Sequence, residues 1–302
     1  MATATPLPLL KQDLKVGLVQ MLPGSDKANN LVQARNKIRR AASMGAKLVV
    51  LPECFNSPYG TDHFPEYAEV LPEVNQEGES ETFKALKDIA TEHNIYLLGG
   101  SIPEREETSG KLYNTSLTFS PNGTLIGKHR KVHLFDISIP GKIHFQESLV
   151  LSPGKDITII DLPEYGKIGV GICYDIRFPE LAMISARKHG VFAMFYPGAF
   201  NLTTGPLHWE LLARSRATDN QIFVGVVSPA RSKPTDAGYK AYGHSMMVDP
   251  NGEILCEALE GEELLVQDLE AGRIEEVRQG IPVYSQRRWE VYPDVAGVGK
   301  EE

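Results

Sequence analysis

A strand that gives way to a helix start within residues 167–181 constrains this chain more than any other stretch. In Lys-Ile-Gly-Val-Gly-Ile-Cys-Tyr-Asp-Ile-Arg-Phe-Pro-Glu-Leu, Ile168, Val170 and Ile172 alternate with Gly169 and Gly171. The alternation predicts a short strand with little side-chain bulk on one face, a place where another backbone or a ligand comes close. Phe178-Pro-Glu-Leu then reads as a helix start, with Pro179 in the first turn and Glu180 near the positive helix end. Cys173 falls at the junction. A thiol there can face a pocket, with neighbouring backbone N–H groups available to an oxyanion.

A lone cysteine after an apolar strand is ordinarily a small buried hydrophobe. Its company argues for more. Leu51-Pro52-Glu53 follows a strand at 47–51, and His129-Arg-Lys131-Val-His133 follows another. A carboxylate, an ammonium and a thiol, each at a strand edge, make a plausible acyl-transfer site. By composition alone Glu53 reads as a loop charge and Lys131 as part of a solvated basic face. His129 and His133 stand at i and i+4, a metal-ligand spacing on a helix. Here the segment leads out of a hairpin strand and the ligand set is incomplete, so no metal is expected. With eight histidines in the chain, a papain-type Cys–His pair is an open rival. No Gly-x-Gly-x-x-Gly or Gly-Lys-Ser/Thr loop is present, so nucleotide chemistry is unsupported.

Around these residues the pattern reads strand 15–20, a helix capped by Asp26 and running to about Met44, strand 47–51, a loop to about 79, a helix capped by Ser80, and strand 95–101. This β-α-β-α-β opening suggests a sheet with covering helices. Hairpins follow: 112–119 with 124–128 around Pro121-Asn-Gly123, 156–161 with 167–172, and 244–257 around Asn251-Gly252. Between the first two lies a long irregular stretch, 132–155. Helices are expected at 179–188, from Pro206 through Arg216 and at 271–279, with strands at 191–196, 222–227 and 263–269. About a dozen strands with tight hairpins are too β-rich for a simple doubly wound sheet. Two mixed sheets packed face to face with helices outside is the economical α/β architecture. No linker or repeat divides the chain, so one domain is expected over 15–290, with a loose arm at 1–14 and a tail at 291–302.

Length and charge narrow the function. The 302 residues are 42% hydrophobic and 23% charged, ordinary for a globular enzyme. A net charge of −8 disfavours nucleic acid and anionic membranes as partners. No apolar run reaches the roughly 20 residues that span a bilayer. Three cysteines argue against a disulfide framework. With neither a secretory signal nor the arginines of a mitochondrial presequence, a cytoplasmic location is expected.

Leu-Pro-Glu53, His-Arg-Lys131 and Gly-Ile-Cys173-Tyr-Asp-Ile-Arg-Phe-Pro-Glu together resemble the three signature blocks of the nitrilase, or carbon–nitrogen hydrolase, superfamily. The likeness runs from about residue 15 to about 290. Cys54-Phe-Asn-Ser-Pro-Tyr-Gly60, Lys131-Val-His-Leu-Phe-Asp136, Ile139-Pro-Gly-Lys-Ile143 and Tyr196-Pro-Gly-Ala-Phe-Asn-Leu-Thr-Thr-Gly205 resemble the omega-amidases in particular, with Ser138 where that branch often has an acidic residue. The resemblance implies an αββα four-layer sandwich, usually a homodimer packed through the helix after the nucleophile and the Pro206 helix. It also implies roles: Cys173 as nucleophile, Glu53 as general base, Lys131 as oxyanion cation, Glu147 as a second glutamate orienting Lys131, and the Tyr174 N–H as second oxyanion donor. No cofactor is implied. The expected reaction is release of ammonia from the terminal amide of short dicarboxylate monoamides such as 2-oxoglutaramate, 2-oxosuccinamate and succinamate, through a cysteine thioester. Deaminated-glutathione amidase and carbamoyl-amine hydrolase activities are the rivals within the superfamily, and a non-catalytic binding module is the rival outside it. For the substrate, Tyr59 and Thr203 offer hydroxyls and Phe200 limits chain length. Arg177 is a candidate for the carboxylate, although its motif also suits a local ion pair with Asp175 or Glu180, the commoner role of such an arginine.

Overall fold

Side chains of the opening strand point alternately into two apolar clusters, and that alternation dictates the layering. The structure, a computed structural model, describes residues 8–292. In β1 (Leu14–Gln20), Val16 and Leu18 enter one cluster and Val19 the other, the pattern of a strand covered on both faces. Helix α1 (Lys27–Ser43) follows, capped as expected by Asp26, whose carboxylate accepts the Asn29 N–H at 3.0 Å. Then come β2 (Leu48–Val50), a single turn α2 (Phe64–Tyr67) inside the expected loop, α3 (Glu81–His93) and β3 (Tyr96–Leu98). Strands β1, β2 and β3 are parallel neighbours.

The strand expected over 95–101 ends early. Gly100 has φ +60°, and a Cβ there would lie 2.1 Å from the Pro52 carbonyl oxygen. Only glycine lets the chain turn beneath Pro52, and the next residues form a separate strand, β4 (Ile102–Arg105), antiparallel to β5 (Leu112–Phe119). Strand β6 (Leu125–Arg130) completes the first predicted hairpin. The stretch expected to be irregular holds a small ribbon, β7 (Asp136–Ile139) with β8 (Ile143–Gln146), and a 3₁₀ turn at Glu147–Leu149. Four-residue, partly exposed strands carry too little periodicity to be read from sequence.

The second half builds β9 (Thr158–Leu162), β10 (Gly166–Val170), α4 (Pro179–His189), β11 (Val191–Pro197), α5 (Gly205–Asn220), β12 (Phe223–Val227), β13 (Met246–Val248) and β14 (Ile254–Glu257). Strand β15 (Glu263–Leu269), α6 (Arg273–Gly280) and α7 (Val283–Gln286) follow, the last lying between the expected 271–279 helix and the expected tail. One sheet has the order β15-β1-β2-β3-β5-β4 with β6 on β5, and the other β14-β13-β12-β11-β10-β9. Leu18, Val50 and Leu98 of the first meet Ile168, Val170 and Phe195 of the second in the inner layer. Ile38, Phe83 and Leu86 of α1 and α3 cover the outer face of the first sheet. Leu181, Trp209 and Ala213 of α4 and α5 cover that of the second. The expected αββα sandwich is the observed architecture.

The chain ahead of β1 is less free than an arm. The Leu9 N–H donates to Glu275 Oε1 at 3.0 Å, Leu10 is buried between the sheets, and the Lys11 N–H reaches the Tyr165 carbonyl at 2.9 Å. Residues 1–7 of the expected arm and 293–302 of the expected tail lie outside the described residues.

Candidate active site

Four strands end at one place, and just past each end stands one ionisable side chain. Glu53 follows β2, Lys131 follows β6, Glu147 follows β8 and Cys173 follows β10. All four are buried, with Glu53, Lys131 and Glu147 fully so and Cys173 at 3% exposure. Lys131 is fixed by its backbone, its N–H donating to the Asn114 carbonyl and its carbonyl accepting from Gly154 N–H, each at 2.8 Å. Its Nζ lies 2.9 Å from both oxygens of Glu147 and 3.2 Å from Glu53 Oε1. Glu53 Oε1 also accepts from Asn114 Nδ2 at 2.8 Å, and its Oε2 from the Ala199 N–H at 2.7 Å. The Cys173 thiol lies close enough to Glu53 for each to shift the other's pKa. Glu147 is held on its other side by the Phe135 N–H at 2.7 Å.

Cys173 opens a 3₁₀ turn, Cys173–Arg177, with φ +49°. A non-glycine residue there is strained by about 1–2 kcal/mol. The strain turns the chain sharply between strand and helix. The Tyr174 N–H, next in the turn, has no protein acceptor among the described residues.

Burial and charge set the protonation of the group. Burial raises the Glu53 carboxyl above its ordinary value, with Lys131 opposing and Glu147 adding to the rise. The Cys173 thiol is pushed well up by burial and then by the Glu53 charge, so it rests as the neutral thiol. Burial alone would lower the Lys131 pKa, but Glu147 and Glu53 outweigh it and hold that pKa well above the usual lysine value. The site thus holds a lysine kept charged, a neutral thiol and, beside that thiol, a carboxyl group more basic than usual. That set can move a proton from thiol to carboxylate and back.

His129 and His133, weighed above as metal ligands, share a different task. Both approach the buried Asp175 carboxylate, His129 Nε2 at 3.2 Å and His133 Nδ1 at 2.8 Å. Asp175 also accepts the backbone N–H groups of Ile172 and His133, each at 2.9 Å. It therefore clips the segment carrying Lys131 to the turn carrying Cys173. Among the described residues no three His, Cys, Asp or Glu side chains are grouped as a metal site.

The expected substrate contacts divide. Tyr59 donates its hydroxyl to Glu147 Oε1 at 2.8 Å, so that hydrogen is committed to the buried Lys131–Glu147 pair rather than to a ligand. Thr203 is half-buried and its hydroxyl has no partner among the described residues. Phe200 is buried against Trp209, ring centroids 4.9 Å apart. Arg177 makes neither of the ion pairs its motif suggests. Asp175 is saturated by the two histidines, and no carboxylate among the described residues pairs with Arg177. Its guanidinium lies over the Phe200 ring at 4.7 Å and the Tyr174 ring at 5.5 Å. One Nη1 hydrogen bond goes to His208 Nδ1 at 3.1 Å, and Nε is buried without a partner.

A cavity of about 310 Å³ reaches Glu53, lined among others by Pro58, Tyr59, Ala199 and Tyr239. Tyr239 packs against Tyr59, ring centroids 4.5 Å apart, and its hydroxyl donates to the Ala199 carbonyl. A larger groove, about 880 Å³, runs past Glu69, Glu104 and Arg130 and contains none of the four residues. Sequence reasoning missed Asn114, the Ala199 N–H, Asp175 and Tyr239. A backbone donor and residues remote in sequence leave no local signal, whereas Asp175 lay inside a quoted motif.

The carbon–nitrogen hydrolase family profile matches residues 15–279. Omega-amidase NIT3 of Saccharomyces cerevisiae is 54% identical over 290 residues, 95% of this chain and 97% of that protein. Human omega-amidase NIT2 is 52% identical over 278 residues, 92% of this chain and 96% of that protein. The crystal structure of S. cerevisiae Nit3, a member of branch 10 of the nitrilase superfamily, superposes with a TM-score of 0.85 at 51% identity, covering 95% of this chain and all of that one. With the family profile over most of its length and such relatives over nearly all of it, the chain belongs to the carbon–nitrogen hydrolase family, the nitrilase superfamily, and is an amidohydrolase of the omega-amidase branch.

Proposed function

We propose that the protein hydrolyses the terminal amide of short dicarboxylate monoamides, releasing ammonia, with succinamate, 2-oxosuccinamate and 2-oxoglutaramate as its substrate class. The observation that carries this reading is Arg177. With Nη1 tied to His208, its Nε–Nη2 edge is the one left for a ligand, and Nε is a buried donor without an acceptor. Two parallel N–H groups on a half-buried guanidinium match a carboxylate in geometry and charge. Arg177 ends the turn that Cys173 begins, and the two groups are near enough for the Cys173 charge to act on the guanidinium. The omega-amidase relatives point to the same class.

The mechanism follows from proton positions. Glu53 takes the thiol proton as Cys173 Sγ attacks the amide carbon. Lys131 Nζ and the Tyr174 N–H stabilise the tetrahedral oxyanion. The C–N bond breaks as Glu53 passes its proton to the leaving nitrogen, giving ammonia and a thioester. Water, deprotonated by Glu53, attacks the thioester, and the thiolate is reprotonated as the acid leaves. Glu147 keeps Lys131 charged and in place. The reaction runs on the chain's own residues. Two copies are proposed to pair through α4 and α5, where Leu207 and Leu211 are exposed one turn apart.

The test is kcat/KM for succinamate against butyramide, two amides of matched length, followed by deaminated glutathione and carbamoyl-amines. A preference for succinamate on the order of 100-fold is expected, because an analogue without the carboxylate leaves buried donors unmatched. Equal values would remove the carboxylate subsite, and preference for a carbamoyl-amine would replace the substrate class.

A further inference from the structure

The Arg177 subsite raises the question of what aims it. Stacking over Phe200 and Tyr174 restrains the plane of the guanidinium but leaves rotation within that plane open. Among the described residues one side chain meets that plane edge-on with an acceptor: His208, in the first turns of α5, whose Nδ1 lies 3.1 Å from Arg177 Nη1. Arginine has no acceptor, so the contact requires a lone pair on Nδ1 and its proton on Nε2. Burial and the Arg177 charge both lower the His208 pKa, which favours the neutral ring that the contact needs.

We infer that His208 is the positioning residue of the carboxylate subsite: by accepting from Nη1 it turns the Nε–Nη2 edge of Arg177 toward the substrate and so sets the preference for acids over neutral amides. The inference rests on the substrate reading above. It extends the site to a residue that follows Cys173 by a helix, a strand and a loop. His208 does not touch the four residues of the reacting cluster. Its loss should therefore act on recognition and leave the chemical step alone.

The experiment measures kcat and KM for succinamate and for butyramide in the wild type, His208→Ala, His208→Asn and Arg177→Gln. The Asn Oδ1 sits as far from the backbone as Nδ1 and supplies an acceptor, so it serves as the conservative variant. His208→Ala should raise KM for succinamate about tenfold, the worth of one hydrogen bond to a charged group. It should leave kcat, and both constants for butyramide, within about twofold. His208→Asn should recover most of the succinamate KM. A purely structural role would depress both substrates together and would not be rescued by Asn. Equal losses on both substrates, no change in His208→Ala, or an Asn variant no better than Ala overturns the inference. If His208→Ala folds poorly, His208→Leu, apolar and of similar bulk, gives the same comparison. If Arg177→Gln abolishes the preference for succinamate while His208→Ala does not, the substrate reading stands and only the role of His208 falls. If Arg177→Gln leaves the preference intact, both fall.

Discussion

Tyr59 donates its phenolic hydrogen to Glu147 Oε1 at 2.8 Å, the same oxygen that Lys131 Nζ approaches at 2.9 Å. The two donors, with the Phe135 N–H on Oε2, leave the Glu147 carboxylate little freedom to move. Tyr59 also stacks on Phe145 at 5.8 Å, so its ring is held as firmly as its hydroxyl. Tyr59→Phe removes one hydrogen bond to a carboxylate and keeps the packing. It should lower kcat about tenfold, with a smaller effect on KM, since the bond worth about 1.5 kcal/mol orients the cluster rather than the substrate. Steady-state kinetics on succinamate separate the two constants. A rise in KM alone would return Tyr59 to the substrate.

Glu147 contributes the largest charge effect keeping Lys131 protonated. In the wild type Lys131 holds its proton through the working range, because the pKa raised by Glu147 and Glu53 lies well above the ordinary lysine value. In Glu147→Gln that support is lost while the burial remains, so the Lys131 pKa falls. Activity requires the cation and should then decline as pH rises through the lowered value. The kcat–pH profile should gain an alkaline limb that the wild type lacks at the same pH, on top of a drop in kcat. A profile of unchanged shape would separate Glu147 from the charge state of Lys131.

Asp175 ties the Lys131 segment to the Cys173 turn. Burial would raise its carboxyl, but the hydrogen bonds from His129 and His133 outweigh burial and hold it below the usual carboxylate range. A depressed carboxylate contributes stability that is present in full above its unfolded pKa, about 3.9, and is lost as pH falls toward the folded value. Asp175→Asn should therefore cost about 2–4 kcal/mol near pH 7. The deficit should shrink below about pH 4. Urea melts of both proteins at the two pH values read this directly. A deficit independent of pH would mean that the charge of Asp175 has no part in the clamp.

Much of this site was legible because its chemistry sits in short contiguous motifs. Glu53, Lys131 and Cys173 each follow an apolar strand closely, and strand ends are where backbone geometry permits a pocket. The layers were legible too, since Asp26, the 27–43 face and the paired hairpins carry period and turn signals of ordinary strength. Contacts made across the fold were not. Asn114 lies in a strand buried along its whole length, where a polar residue has no distinguishing neighbours. The Ala199 N–H is invisible to any reading of side chains. His129 and His133 suggested a metal by their spacing alone, and it took the three-dimensional position of Asp175 to show the partner they share. Arg177 illustrates the opposite error. Sequence proximity favoured Asp175 or Glu180 as its partner, but the turn delivers Asp175 to the histidines and leaves the guanidinium over two aromatic rings.

The central claim is that Cys173 is the nucleophile, and three single substitutions test it. Cys54 is buried beside Glu53 with the same φ of +49°, and Cys256 is half-buried in β14, so the chain contains its own controls. Ammonia release from succinamate should fall by a factor on the order of 10⁴ or more in Cys173→Ala, with circular dichroism and melting unchanged. Cys54→Ala should cost about 1–2 kcal/mol of stability, as a small buried truncation does, and Cys256→Ala less, with turnover retained in both. Near-normal turnover in Cys173→Ala, or a loss of that size in Cys54→Ala with its fold intact, would contradict the account.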